Sequence, residues 1–311
     1  MIRPQRTVLV EGAAAGTLRA TSVSHIAFGV PDATAAADFY ERVLGLQVHS
    51  TSDDGTLRLG WGSGHHVLDL VPGEKKLLHY AFEVRDAGGL DGIRQRLSAA
   101  GISFDPLDPD FVDEAVGAAD GIVVRDPDGT AVHFHSPVRR AGEHSADTGR
   151  RPVKFQHTTI GTADVLRFVD FFVGTVGFRI SDQLQNGRFC WMRSDRDHHT
   201  LAVVDVGRGG DIDHYSYDLA EWEDFKTWCD RLTDLDVPVQ WGPGRHGPGN
   251  NLFVFFDDPA GNHVELSAEM EKFHDDRAEY TPRQWEPRPE TVNLWGGQTP
   301  TWRTVGSEVR P

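Results

Sequence analysis

VSHIAFGV (residues 23–30) and FQHTTIGT (residues 155–162) are one segment written twice, a short β-branched and aromatic run with histidine in third place. The correspondence extends outward from them. LLHYAFEV (77–84), with His79, is answered by DIDHYSYDL (211–219), with His214. DPDGTAVHFH (126–135), with His133, is answered by DPAGNHVEL (258–266), with Glu265. The spacing is 132 residues from His25 to His157, 135 from His79 to His214 and 132 again from His133 to Glu265. Phe39, Gly45 and Leu46 likewise match Phe171, Gly177 and Phe178. A period this long, held at both ends, indicates a duplicated domain.

A chain of 311 residues is long enough for two domains with separate cores. The repeat predicts an N-terminal arm over 1–18, a first domain over 19–138, a linker over 139–151, a second domain over 152–270 and a tail over 271–311. The linker, RRAGEHSADTGRR, is polar and lacks large apolar residues. A formal charge of −16 argues against a nucleic-acid partner and gives no reason to invoke an anionic membrane. Two cysteines, Cys190 and Cys229, cannot build a disulfide framework and suit a reducing compartment. No apolar run approaches the roughly 20 residues of a membrane span, and the N-terminus lacks a secretory apolar region. The expectation is a soluble cytoplasmic protein.

Within each copy the periodicity alternates between that of strand and helix. HIAFGV reads as a strand, and ATAAADFYERVLG (33–45) carries apolar residues at helical spacing until Gly45 stops it. LRLGWG with HHVLDLV suggests a hairpin, and LDGIRQRLSAAG (90–101) a second helix. GIVVRDPDGTAVHFH turns at Asp-Pro-Asp-Gly. The second copy repeats the plan, with helices over VLRFVDFFVGTVG (165–177) and WEDFKTWCDRLTDL (222–235) and a closing hairpin LFVFFDDPAGNHVEL. The fold class expected is α+β, two homologous domains of two βαβββ units each.

His157, His214 and Glu265 then all lie on strands. Two imidazoles and one carboxylate form a ligand set suited to non-haem Fe(II), and three protein ligands leave coordination positions open. Alternation along DIDHYSYDL puts His214, Ser216 and Asp218 on one face and Tyr215 and Tyr217 on the other. His198 and His199 are adjacent, so on a strand only one of them can face the site.

The stretch GPGRHGPGNNLFVFFDDPAGNHVEL (242–266) resembles the signature of the type I extradiol ring-cleavage dioxygenases of the vicinal oxygen chelate superfamily, the group of catechol and homoprotocatechuate 2,3-dioxygenases. RSDRDHHTLAV and QHTTIG are similar to other active-site segments of that family. The resemblance spans both domains and the tail. It implies a curved, open, barrel-like sheet in each domain and a first domain without metal. It also implies Fe(II), or Mn(II), on His157, His214 and Glu265. His199 becomes the acid/base beside the reacting oxygen, with spacing to His214 favouring it over His198, and His246 a substrate contact. Phe255, Thr159, His198 and Trp191 are the further substrate-contact candidates. The implied partners are a small aromatic diol and O2, and the chain is expected to associate as a dimer or tetramer.

The chain departs from the family pattern in three places. Phe255 stands where a tyrosine usually contacts the substrate oxygen, and phenylalanine offers no donor. Thr159 stands where some relatives have asparagine. In ETVNLWGG, Thr291 and Val292 replace the paired arginines that clamp carboxylated catechols, which favours a diol without a carboxylate. His25, His79 and His133 repeat the ligand positions, with histidine for glutamate, and three histidines can hold zinc or iron. Two alternatives to a dioxygenase are a non-oxygenase metalloenzyme of the same superfamily, an isomerase or lyase, and a metal-free binding protein.

Overall fold

The computed structural model describes residues 21–61, 65–108, 118, 120–138, 151–273, 280–296 and 298–302. The predicted arm and nearly all of the predicted linker lie outside the described residues. The first sheet is built from β1 (Thr21–Val30), α1 (Ala33–Leu44), β2 (Gln47–Thr51), β3 (Leu57–Gly60) and β4 (His66–Pro72), then β5 (Lys76–Val84), α2 (Ala87–Ala99), β6 (Asp105–Pro106), β7 (Gly121–Arg125) and β8 (Ala131–His135). The second has β9 (Lys154–Thr162), α3 (Val165–Val169), β10 (Arg179–Leu184), β11 (Phe189–Arg193) and β12 (Leu201–Asp205), then β13 (Asp211–Asp218), α4 (Trp222–Asp234), β14 (Trp241–Arg245), β15 (Leu252–Asp257) and β16 (His263–Ala268). Each half is thus two βαβββ units. The tail adds β17 (Arg283–Trp285) and a short α5 (Pro289–Val292).

Strand order is β2-β3-β4-β1-β5-β8-β7-β6 in the first sheet and β14-β15-β16-β13-β9-β12-β11-β10-β17 in the second. In each, the first strands of the two units pair antiparallel at the centre, and each of them pairs parallel with the last strand of one unit. Among the described residues no helix is long and apolar enough to cross a membrane.

Local chemistry explains the elements. Asp32 caps α1, its side chain accepting from the Ala35 N–H at 2.9 Å, and Gly45 ends it at φ 69°, a left-handed turn that glycine adopts without strain. The two closing hairpins turn the same way. The Asp126 carboxylate accepts from the N–H groups of Asp128 and Thr130, and Asp258 accepts from the N–H of Asn262. The helix expected over 165–177 changes character midway: α3 runs on into a π-helical turn over 170–176, where the Gly177 N–H reaches back to the Phe172 carbonyl at 2.8 Å. The wider turn brings Phe171, Phe172 and Val173 all inside.

One continuous apolar core joins the halves. Phe28 meets Tyr215 with centroids 5.2 Å apart, Trp61 meets Tyr217 at 5.4 Å, and Phe82 meets Phe178 at 5.2 Å. The Tyr40 hydroxyl donates to Asp258 at 2.6 Å and touches the Tyr215 hydroxyl. All three side chains are buried, so the network ties α1 to the second sheet. Tyr40→Phe leaves the Asp258 carboxylate one donor short and is expected to destabilise the protein by about 1–3 kcal/mol in urea unfolding.

Candidate metal centre

His157 on β9, His214 on β13 and Glu265 on β16 stand on three adjacent strands. Ser216 of β13 pairs with both His157 and Glu265, and His214 lies two residues before it on the same strand face. Tyr215 and Tyr217 turn the other way, into the core. The three ligand atoms lie within 4.8 Å of one another. His157 Nε2 is 3.3 Å from His214 Nε2 and 3.0 Å from Glu265 Oε2, and His214 Nε2 is 3.6 Å from that oxygen. None of the three is more than 5 % exposed.

The outer nitrogens decide which way these imidazoles point their lone pairs. His157 Nδ1 donates to Gln156 Oε1 at 3.0 Å, and His214 Nδ1 donates to Asp213 Oδ1 at 2.6 Å. Each Nε2 therefore turns a lone pair inward, towards the other and towards a carboxylate. Burial pushes His157 down against the opposing pull of Glu265, and pushes His214 down to about 4. Burial alone would raise the Glu265 carboxyl, but His157 and His246 hold it well below the usual carboxylate range. Two neutral imidazoles and an ionised carboxylate facing one point repel unless a cation sits between them. This donor set fits a divalent transition metal. Asn251 Nδ2 steadies the carboxylate from behind, 3.4 Å from Glu265 Oε1 and 2.8 Å from Ser267 Oγ.

The cavity over this point is lined by His157, His199, His214, His246 and Glu265 together with Phe189, Trp191, Pro248 and Val292. Trp191 stacks on Phe189 at 3.9 Å, giving one flat aromatic wall. Among the described residues no lysine or arginine lines it. His246 follows β14. Its Nδ1 donates to the Val292 carbonyl at 2.6 Å, its ring stacks on Phe253 at 4.0 Å, and its Nε2 faces Glu265 Oε1 at 3.4 Å.

His198 and His199 lie in a bend ahead of β12 and not on a strand, so alternation does not govern them. His199 packs on His157 with centroids 4.3 Å apart and lines the cavity. His198, expected as a substrate contact, is turned away from it. Its Nε2 lies 3.1 Å from Asp182 Oδ2 and its Nδ1 is 3.0 Å from His199 Nδ1. With Asp182 drawing the proton to His198 Nε2, His198 Nδ1 accepts from His199 Nδ1 and leaves the His199 Nε2 lone pair for the cavity. Burial, followed by His157 and His198, pushes His199 well below the ordinary histidine value. Gly249, at φ 79°, makes room for the pair: a Cβ there would meet His198 Nδ1 at 3.2 Å and His199 Cε1 at 3.3 Å.

Asp182 is fully buried on β10 and held by the tail. Arg283 Nε donates to it at 2.9 Å, Trp285 Nε1 at 2.7 Å and the Tyr280 hydroxyl at 3.3 Å. Burial alone would raise its carboxyl, but His198, Arg283 and Trp285 hold it below the ordinary aspartate value. Two further candidates sit beside the cavity and do not line it. Phe255 packs in a cluster with Trp241, Phe253 and Val292, its ring edge-on to His214 at 5.3 Å. Thr159, paired with His214 across β9 and β13, places its hydroxyl 3.0 Å from His214 Nε2 and so contacts that ligand. Sequence reasoning missed Asp182, Gln156, Asp213 and Asn251. A signal existed for two of them: Gln156 and Asp213 immediately precede the histidines they orient.

The signature of the Glyoxalase/Bleomycin resistance protein/Dioxygenase superfamily matches residues 22–134 and again 154–266. Metapyrocatechase 2 of Cupriavidus necator is 28 % identical over 270 residues, covering 80 % of this chain and 81 % of its own length. An iron-dependent extradiol dioxygenase of Rhodococcus jostii (strain RHA1) is 25 % identical over 297 residues, covering 88 % and 96 %. The crystal structure of the Mn(II)-bound glyoxalase from Novosphingobium aromaticivorans superposes with a TM-score of 0.76 at 27 % identity, covering 89 % of this chain and 91 % of that one. With both βαβββ pairs matched over nearly their whole length, the chain belongs to the Glyoxalase/Bleomycin resistance protein/Dioxygenase superfamily.

Proposed function

We propose that the protein is a metal-dependent extradiol ring-cleavage dioxygenase acting on a catechol without a carboxylate, with Fe(II) as its metal and Mn(II) as the alternative. The observation that carries this reading is the convergence of His157, His214 and Glu265 under an aromatic-walled cavity with no lysine or arginine among its described lining residues. Relatives named as an iron-dependent extradiol dioxygenase and a manganese-dependent 2,3-dihydroxybiphenyl 1,2-dioxygenase support the activity and the choice of metals. His157, His214 and Glu265 would hold Fe(II), which would supply Lewis acidity towards a phenolic oxygen and redox chemistry towards O2.

The chain's own groups do the rest. The stacked Trp191–Phe189 pair offers the diol ring an aromatic wall, and Val292 and Pro248 add apolar lining. His199 takes a phenolic proton on Nε2 and returns it later, its positive charge stabilised through His198 by Asp182. His246 lines the same cavity, and with Nδ1 donating to the Val292 carbonyl its Nε2 is left to accept from a substrate hydroxyl. The diol gives up all four electrons that O2 takes, so no external reductant is needed. A carboxylated catechol would bring a charge that nothing in the cavity compensates.

The test is to mix anaerobically Fe(II)-loaded protein with catechols in air. The expected result is a yellow ring-opened product with matched O2 uptake, and kcat/KM for catechol about 100-fold or more above that for 3,4-dihydroxyphenylacetate. A second reading, a metal-dependent isomerase or lyase, is favoured by Phe255 in place of the tyrosine and by the likeness to the Mn(II)-bound glyoxalase. Absence of O2 uptake across the catechol panel would select it.

A further inference from the structure

The first sheet contains a second constellation in the same place. Pairing registers make the equivalence explicit. Ala27 pairs with His79 as Thr159 pairs with His214, and Ala81 pairs with His133 as Ser216 pairs with Glu265. Ile26 pairs with Leu68 as Thr158 pairs with Leu201, which sets His65 and His66 in the positions of His198 and His199. His25, His79 and His133 therefore occupy the three ligand positions, with the histidine doublet retained beside them. The apparent loss is the carboxylate, since His133 stands for Glu265. Asp69 restores it from the neighbouring strand, where the second domain has Ala202.

The side chains converge as ligands do. The donor atoms of His25, His79 and His133 lie within 4.8 Å of one another, and so do those of His25, His66 and Asp69. Asp69 is 2 % exposed, with Oδ1 3.2 Å from His66 Nε2 and Oδ2 3.6 Å from His79 Nε2. The tautomer of His25 is set from outside. His135 Nδ1 donates to the Ser136 carbonyl at 2.9 Å, so its Nε2 accepts the Ser24 hydroxyl at 2.8 Å. Ser24 Oγ then accepts from His25 Nδ1 at 3.1 Å, which turns the His25 Nε2 lone pair inward. This is the device that Gln156 and Asp213 supply to the second domain.

We propose that the N-terminal domain binds a second divalent transition-metal ion, of the zinc class, through His25, His79 and His133, with Asp69 and His66 completing or neutralising the site. A nitrogen-rich donor set with one carboxylate favours Zn2+ and Co2+ over Mn2+ or Mg2+. Tetrahedral bonds of about 2.0–2.1 Å bring ligand atoms to roughly 3.3 Å, a modest contraction of the cluster. The ion cross-links β1, β5 and β8 directly and β4 through Asp69 or His66. It does not depend on the activity proposed for the second domain, and it departs from the metal-free first domain that the family resemblance implies.

The test counts metal on the full chain, stripped with chelator, titrated with Co2+ and desalted. Wild type is expected to retain two ions and the Glu265→Gln chain one. Adding His79→Ala or His133→Ala to Glu265→Gln should remove that last ion and lower the thermal midpoint of the Co2+-treated protein to that of the stripped protein. These two histidines are chosen because they are the more exposed members of the trio. If either double variant fails to fold, the other decides. If both fail, the Glu265→Gln chain decides alone. A Glu265→Gln chain that retains no ion, or a retained ion that survives both histidine substitutions, overturns the proposal.

Discussion

Glu265→Gln is expected to abolish ring cleavage and to weaken metal binding in the second domain by more than 100-fold. Glutamine keeps the shape of the side chain and a carbonyl oxygen for Asn251, so the fold should survive, as circular dichroism can verify. What it removes is the only negative charge among the three converging ligands. A divalent ion held by two neutral imidazoles and this carboxylate leaves the site near +1, and with glutamine the same ion leaves it at +2 in a fully buried pocket. Changing a partner behind a ligand typically lowers metal affinity about 10- to 100-fold, and replacing the ligand itself should exceed that. Anaerobic Fe(II) titration measures the binding and O2 uptake the turnover. A variant that still binds Fe(II) at wild-type affinity would remove Glu265 from the proposed ligand set.

His199→Gln is expected to lower kcat by about 100- to 10,000-fold while leaving metal content unchanged. His199 packs on His157 but lies outside the converging ligand set, so its loss should separate proton transfer from metal binding. Glutamine preserves a polar group at the His198 contact but cannot take up and return a proton. Asp182→Asn should reproduce the effect more weakly, because it weakens the charge behind His198 and leaves His199 in place. Wild-type kcat in His199→Gln would assign the proton transfer elsewhere, with His246 the next group on the cavity wall.

Much of this architecture was readable in the chain because duplication prints the same pattern twice. His157, His214 and Glu265 could be picked out of fifteen histidines and many acids because each had a counterpart 132 or 135 residues earlier. The Asp-Pro-Asp-Gly and Asp-Pro-Ala-Gly turns carried their own chemistry, an aspartate accepting from the backbone two to four residues on. Long-range dependence was not legible. Asp182 meets Arg283 and Trp285 only because β17 pairs with β10, and the tail that carries β17 lies outside the repeat. His198 differs from its expected role as a substrate contact for a related reason: Asp182, on a different strand, turns it away from the cavity while His199 faces it. Phe255 was read from its place in a motif, whereas its surroundings come from β14, β15 and α5.

The grip of the tail on Asp182 bears on how substrate gets in. Swinging the segment from Tyr280 to Trp285 aside would take three donors from an interior aspartate at once and leave a buried charge short of partners. The same movement would release the His198–His199 dyad from its electrostatic anchor. The segment from Tyr280 to Trp285 is therefore expected to stay seated as a fixed brace behind the dyad and not to swing during turnover.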